Sequence, residues 1–106
     1  MNLLNVHRKE LTEACIHAKV EELYAFGSIL TDKFTEESDI DFIVSIKSED
    51  PIEYGEHYFE LKFKLEEIFN RKIDLLEQKA IRNELFRDLI DQKKMLVYAR
   101  TNQSVA

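Results

Sequence analysis

The segment from Tyr24 to Val44, YAFGSILTDKFTEESDIDFIV, contains two short apolar runs joined by a polar connection. The first run stops at Gly27-Ser28, and the second begins with Asp39 and Asp41, one residue apart. Residues i and i+2 of a strand point to the same face, roughly 6–7 Å apart. The spacing therefore predicts a strand that holds both carboxylates on one face. The opposite face of this strand is apolar and consists of Ile40, Phe42, Val44 and Ile46.

Two carboxylates on one face repel each other, and a divalent cation makes such a pair favourable. The break at Gly27-Ser28 suits an anion, because glycine has no Cβ and serine offers a hydroxyl and an N–H. A phosphate site beside a metal site is the combination that a nucleotide-using enzyme needs. Each feature alone also has a plainer explanation. Asp39 and Asp41 can belong to an acidic loop that leads into a strand, and Ser28 can cap a helix.

The composition indicates one globular domain with little material for a second. The chain has 106 residues, a net charge of −6 and a single cysteine, Cys15. We expect the domain to occupy residues 1–100 and residues 101–106 to be a disordered tail. Neither a bilayer-spanning apolar run nor a signal peptide is evident, and a lone cysteine favours a cytoplasmic protein. The acidic charge argues against general nucleic-acid binding, which depends on neutralising phosphates.

Apolar spacing predicts alternating helices and strands. Asp50 and Pro51 are typical of a helix start, and Glu53 is placed to complete a capping box. The last predicted helix should turn Ile81, Leu85, Phe86 and Leu89 inward. The predicted helices cover residues 2–19, 50–70 and 80–91; the predicted strands cover residues 22–26, 39–46 and 72–77, and MLVYA forms a short closing strand or extended segment.

The connections between these elements predict the sheet. A long helix joins the second and third strands, so these two should be parallel, whereas the shorter link between the first two allows an antiparallel pair. The expected fold class is α/β (α+β), a small mixed sheet with helices on one face and the carboxylates on the other. Asp74 on the third strand would then lie beside Asp39 and Asp41, within about 5 Å laterally. The plainer interpretation of Asp74 is a surface residue near a strand end.

Gly27-Ser28, ten further residues, Asp39-Ile40-Asp41, a helix and a strand with Asp74 together resemble the minimal nucleotidyltransferases of the DNA polymerase β-like superfamily. The resemblance extends from about residue 11 to residue 98. It implies that Gly27 and Ser28 bind phosphate, that Asp39 and Asp41 bind metal, and that Asp74 supplies a third carboxylate, which activates the attacking hydroxyl. Two Mg²⁺ ions about 3.5–4 Å apart would assist transfer of an NMP from an NTP, with ATP expected.

The same resemblance has implications for partners. Small members of this kind, such as the MntA-type antitoxins of HEPN/MNT pairs, are commonly found with a helical HEPN partner protein, which they modify or bind. A chain of this size lacks room for its own acceptor-binding domain, so we expect a HEPN-type partner or a homodimer to complete the cleft. The alternative is a binding-only antitoxin with the same fold. Many members carry an Ala-Arg-Gly segment shortly after Gly-Ser, where this chain has Ile29 to Asp32, with Lys33 as a substitute cation.

Overall fold

The computed structural model describes residues 3–100, whose four strands form one mixed sheet. The strands are β1 (Val20–Phe26), β2 (Ile40–Ile46), β3 (Ile73–Glu77) and β4 (Met95–Ala99), in the order β3-β2-β1-β4. β1 is antiparallel to β2 and β4, and β2 is parallel to β3. The predicted fold class and both predicted strand orientations are therefore confirmed. The tail predicted for residues 101–106 lies outside the described residues.

Within residues 3–100, four α-helices accompany the sheet: α1 (Leu3–Val6), α2 (Arg8–His17), α3 (Pro51–Phe69) and α4 (Glu84–Lys93). The single helix expected over residues 2–19 is interrupted at His7, whose ring packs edge-on against Phe69 at 5.3 Å, and residue 2 lies outside the described residues. α3 begins as predicted, since the Asp50 side chain accepts a hydrogen bond of 3.0 Å from the Ile52 N–H. Within residues 3–100, none of these helices is long and apolar enough to cross a membrane.

The main core lies between one face of the sheet and the helices α2 and α3. The predicted inward residues of β2 are buried, with Ile40, Phe42 and Val44 all at 0% exposure. Leu11 of α2 and Leu61 of α3 belong to the same cluster. The β2 residues on this face are apolar, which leaves Asp41 to the opposite face, where its neighbour on β3 is Asp74.

The opposite face carries Asp41 and, two residues on, Ile43. Ile43 packs with Ile81 and with Ile90 of α4 in a second, smaller cluster. α4 therefore lies on the carboxylate side of the sheet, and the expectation of helices on one face holds for α1, α2 and α3 but not for α4. α4 contacts this face through Ile90, whereas Asp74, near the end of the sheet where β2 and β3 begin, is exposed.

The details of α4 correct the sequence prediction. The helix begins at Glu84 rather than near Ala80, because the Asn83 side chain caps it by accepting a 3.0 Å hydrogen bond from the Phe86 N–H. The expected inward residues Leu85, Phe86 and Leu89 are 70%, 43% and 50% exposed, so that assignment is wrong. Ile81 is buried as expected, although it lies before the helix, and Ile90 supplies the helix contact with Ile43.

Candidate active site

Gly27 brings the end of β1 into contact with Asp41. Its backbone is left-handed, with φ at +79°, and a Cβ at this position would overlap Asp41 Oδ2 and lie 3.3 Å from the carboxyl carbon. Only glycine therefore meets both the conformational and the spatial requirement. The turn that ends β1 and the carboxylate of β2 are neighbours at one end of the sheet.

Ser28 lies in the 3₁₀ segment Gly27–Leu30, which directly follows β1. Its carbonyl oxygen accepts hydrogen bonds from the N–H of Thr31 at 2.9 Å and from Thr31 Oγ1 at 2.8 Å. These bonds hold the shape of the turn through the Ser28 carbonyl and do not use its hydroxyl. Ser28 is half-buried and directly follows Gly27, the residue that contacts Asp41.

Asp41 and Asp74 stand side by side in the parallel pair formed by β2 and β3. Burial, the charge of Asp74, a hydrogen bond with Asp74 and the charge of Asp39 together raise the pKa of Asp41 to about 6. Each of these causes disfavours the ionised carboxylate. A divalent cation would reverse the balance by attracting both carboxylates, so the pair suits a cation site.

Asp39 lies immediately before β2 rather than within it. Its Oδ2 is 4.0 Å from Lys72 Nζ, and it contributes less than Asp74 to the raised pKa of Asp41. Within residues 3–100, no three His, Cys, Asp or Glu side chains already form a metal-binding group. The structure thus brings Asp41 and Asp74 together and leaves Asp39 beside them. This arrangement still fits Mg²⁺, which typically takes one or two carboxylates and completes its coordination with water and substrate phosphates.

The loop that leads to Asp39 is held by Arg71, a residue that sequence patterns did not reveal. Arg71 Nη1 donates hydrogen bonds of 2.9 Å to the carbonyl oxygens of Thr35 and Ser38. Its guanidinium also lies 4.7 Å from the centroid of the Phe34 ring. The sequence signal for Arg71 is its place directly after Asn70, where the long helix was predicted to end. In the structure, Asn70 has a left-handed backbone and ends α3. Arg71 therefore fixes the approach of the chain to the carboxylates.

The carboxylate end of the sheet also carries Phe26 and a lysine. Phe26 pairs with Asp41 across β1 and β2, and Met95 of β4 pairs with Ala25. Lys94, in extended conformation just before Met95, therefore stands near Phe26 at the same end. Lys33, considered above as a substitute cation, lies in the exposed loop after the 3₁₀ turn. Lys94 could not be placed from sequence, because its position depends on how β4 pairs with β1.

The sequence and the fold match those of nucleotidyltransferases. Residues 9–103 match the family described as Polymerase beta, Nucleotidyltransferase, and the chain belongs to that family. A candidate protein adenylyltransferase of Methanocaldococcus jannaschii is 34% identical over 95 residues, which are 90% of this chain and 91% of the relative. A second one from the same organism is 36% identical over 80 residues, covering 74% and 85% of the two chains. The predicted family is confirmed.

Solved structures of low sequence identity share the fold. A candidate minimal nucleotidyltransferase has a TM-score of 0.72 at 20% identity, covering 90% of this chain and 95% of that one. The structure of a toxin–antitoxin with AMP-PNP gives 0.67 at 20% identity, over 92% and 76%. A tri-AMPylated Shewanella oneidensis HEPN toxin in complex with an MNT antitoxin gives 0.63 at 18% identity, over 96% and 76%. At these identities the likeness concerns the fold.

Proposed function

We propose that this protein transfers an NMP from an NTP, with ATP as the preferred donor, to a hydroxyl group of a partner protein, and that the reaction requires Mg²⁺. The contact between Gly27 and the Asp41 carboxylate carries the proposal. It places a turn suited to phosphate against a carboxylate pair suited to a divalent cation. The names of the two M. jannaschii relatives support protein as the acceptor class and adenylyl as the group transferred.

The proposal assigns the site residues to metal binding, phosphate binding and proton transfer, and Asp74 has two of these roles. Asp39, Asp41 and Asp74 would hold Mg²⁺, which supplies positive charge against the negative charge that develops at the α-phosphate. Gly27 and Ser28 bind the β- and γ-phosphates through backbone N–H groups and the Ser28 hydroxyl. Asp74 accepts the proton of the attacking hydroxyl, because it is more exposed than Asp41 and so can meet an acceptor from outside.

The covalent change is a single in-line displacement. A bond forms between the acceptor oxygen and the α-phosphorus, and the bond from the α-phosphorus to the bridging oxygen of the β-phosphate breaks. Pyrophosphate leaves, and the proton of the acceptor hydroxyl passes to Asp74. Gly27 and Ser28 retain the leaving phosphates during this step, so binding of the NTP and departure of pyrophosphate use the same turn.

The proposed partner is a HEPN-type protein, with this chain as the antitoxin of the pair. Support comes from the fold shared with the MNT antitoxin of the Shewanella oneidensis complex, whose HEPN toxin is AMPylated. The described residues form a single sheet whose carboxylate end is open, so the acceptor reaches it from another molecule. A second copy of this chain is the other molecule able to complete the cleft. The lone buried Cys15 fits a cytoplasmic setting.

A transfer assay tests the proposal. The protein is incubated with Mg²⁺ and each α-labelled NTP in turn, with the soluble proteins of the source cell as acceptors. The double variant Asp39→Asn, Asp41→Asn should give no labelled band. The matched control Glu36→Gln, Glu37→Gln removes the same charge from the neighbouring loop and should label as strongly as the wild type. Equal labelling by the site variant, or Mg²⁺-independent labelling, would refute the proposal.

A second candidate function is binding without catalysis, as an antitoxin that inhibits its partner by contact. It is favoured by the four residues after Ser28, which carry no positive charge. A binding-only protein would form a stable complex with its partner, would not label it, and need not bind Mg²⁺-NTP. Calorimetry with Mg²⁺-ATP separates the two functions, because an active enzyme binds its substrate in the micromolar to millimolar range.

A further inference from the structure

We infer that Lys94 binds the β- and γ-phosphates of the NTP and supplies the positive charge that the residues after Ser28 lack. This inference rests on the proposed function, because it assigns a residue to the same site. It concerns a lysine that lies 66 positions beyond Ser28 in the sequence (94 − 28) and reaches the site only through the pairing of β4 with β1.

The sheet places Lys94 in one row with the carboxylates. Asp74 pairs with Asp41, and Asp41 pairs with Phe26. Met95 pairs with Ala25, and the same antiparallel register, continued by one residue, puts Lys94 opposite Phe26. Neighbouring strands are about 4.8 Å apart, so the backbone of Lys94 lies two strand spacings, about 10 Å, from that of Asp41. A triphosphate that begins at the carboxylates and follows the turn after Phe26 extends toward Lys94.

The Lys94 side chain lies on the same face as Asp41. Leu96, two residues further along, pairs with Tyr24, and Tyr24 pairs with Ile43 on the Asp41 face. In agreement, Lys94 Nζ lies 4.0 Å from the centroid of the Tyr24 ring. The side chain is only 17% exposed, so the ammonium is held over the sheet rather than extended into water. An ammonium held in place loses little freedom when a phosphate binds to it.

Lys94 has one weak anionic partner that a phosphate can displace. Its Nζ lies 2.9 Å from Asp91 Oδ1, three residues earlier, and Asp91 is exposed. Because Asp91 is 45% exposed, water weakens this pair, whereas a polyphosphate carries several charges and accepts stronger hydrogen bonds. The neighbouring cations are differently engaged, since Arg71 donates to the carbonyls of Thr35 and Ser38, and Arg87 donates to the carbonyl of Ile81. Lys94 can therefore exchange Asp91 for the substrate.

Calorimetric titration of the full-length protein with Mg²⁺-ATP and with AMP tests the inference. Lys94→Met keeps the aliphatic contact with Tyr24 and removes the charge, so it should weaken Mg²⁺-ATP binding roughly tenfold. AMP binding should stay unchanged, because AMP lacks the β- and γ-phosphates. Lys93→Met is the matched control and should bind both ligands as the wild type does. Asp91→Asn releases Lys94 and should bind Mg²⁺-ATP a few-fold more tightly.

Equal Mg²⁺-ATP affinity of Lys94→Met and Lys93→Met would overturn the inference, and so would a parallel loss of AMP binding. Lys94→Arg keeps the charge and should retain most of the affinity, which guards against a loss caused by altered folding. A thermal melt of each variant checks the fold directly. If the wild type does not bind Mg²⁺-ATP and does not label a partner, the proposed function itself fails. If the wild type does both and Lys94→Met does the same, only the role of Lys94 fails.

Discussion

The two faces of β2 alternate residue by residue and yet have opposite properties. Ile40, Phe42 and Val44 point into the main core and are 0% exposed. Asp41, between them in sequence, faces Asp74 and the turn at Gly27, where burial and like charge raise its pKa. One face stabilises the fold, while the other holds a carboxyl group whose ionised form is poorly stabilised in the absence of a cation. Neighbouring residues of β2 therefore have different roles. Substitutions in β2 and in the residues around it should affect the stability of the fold and the transfer activity to different extents.

Phe42→Ala should have the largest effect on stability. Phe42 is fully buried, and the centroid of its ring lies 6.2 Å from that of Phe69, so truncation leaves a cavity in the main core. We expect a loss of about 3–5 kcal/mol in the free energy of unfolding, a large part of the total for a domain of this size. Urea unfolding measures it. The control Phe63→Ala removes an exposed phenylalanine and should change stability by only about 0.5 kcal/mol; equal losses would contradict the contrast.

Gly27→Ala should come next, because it should lower both stability and transfer activity. A methyl group there requires a left-handed backbone and displaces the Asp41 carboxylate, at an expected cost of about 1–3 kcal/mol. Transfer activity should fall with it. The control Gly55→Ala lies in α3 with open space around it and should stabilise the protein by up to about 1 kcal/mol. Similar shifts in melting temperature for both variants would contradict the prediction.

Arg71→Met should have an intermediate effect. The variant loses two hydrogen bonds to the loop carbonyls but keeps an apolar contact with Phe34, so we expect a loss of about 1–2 kcal/mol. Asp39 follows this loop, and the apparent affinity for Mg²⁺ should fall as well. Arg82→Met, at an exposed position before α4, is the control. Unchanged Mg²⁺ affinity in Arg71→Met would show that the loop does not position Asp39.

Asp41→Asn should cause no loss of stability and a complete loss of transfer. An acid whose pKa is raised in the folded state makes the fold less stable as pH rises from about 4 to about 6. In EDTA, the variant should therefore melt at a higher temperature than the wild type above about pH 6, and the difference should disappear below about pH 4. Transfer should be lost at every pH. A lower melting temperature for Asp41→Asn at pH 8 would contradict the prediction.

Residue patterns predict much of the fold and the centre of the candidate site. The alternation in β2, the cap at Asp50 and the long helix before β3 are local signals, and they place Asp41 beside Asp74. The patterns fail where two arrangements are equally apolar. In α4 they favour Leu85, Phe86 and Leu89 as the inner face, whereas Ile90 takes that place. They also miss Arg71 and Lys94, because the contacts of both residues depend on pairings far apart in the chain.

The position of β4 has a consequence for the order in which the domain folds. Tyr24 pairs with Ile43 nearby in the chain and with Leu96 far beyond it. Contacts between distant residues close larger loops and form more slowly. The antiparallel unit of β1 and β2, with Gly27 against Asp41, should therefore assemble before β4 joins its edge. Refolding would then build the acidic half of the site first and bring Lys94 to it last.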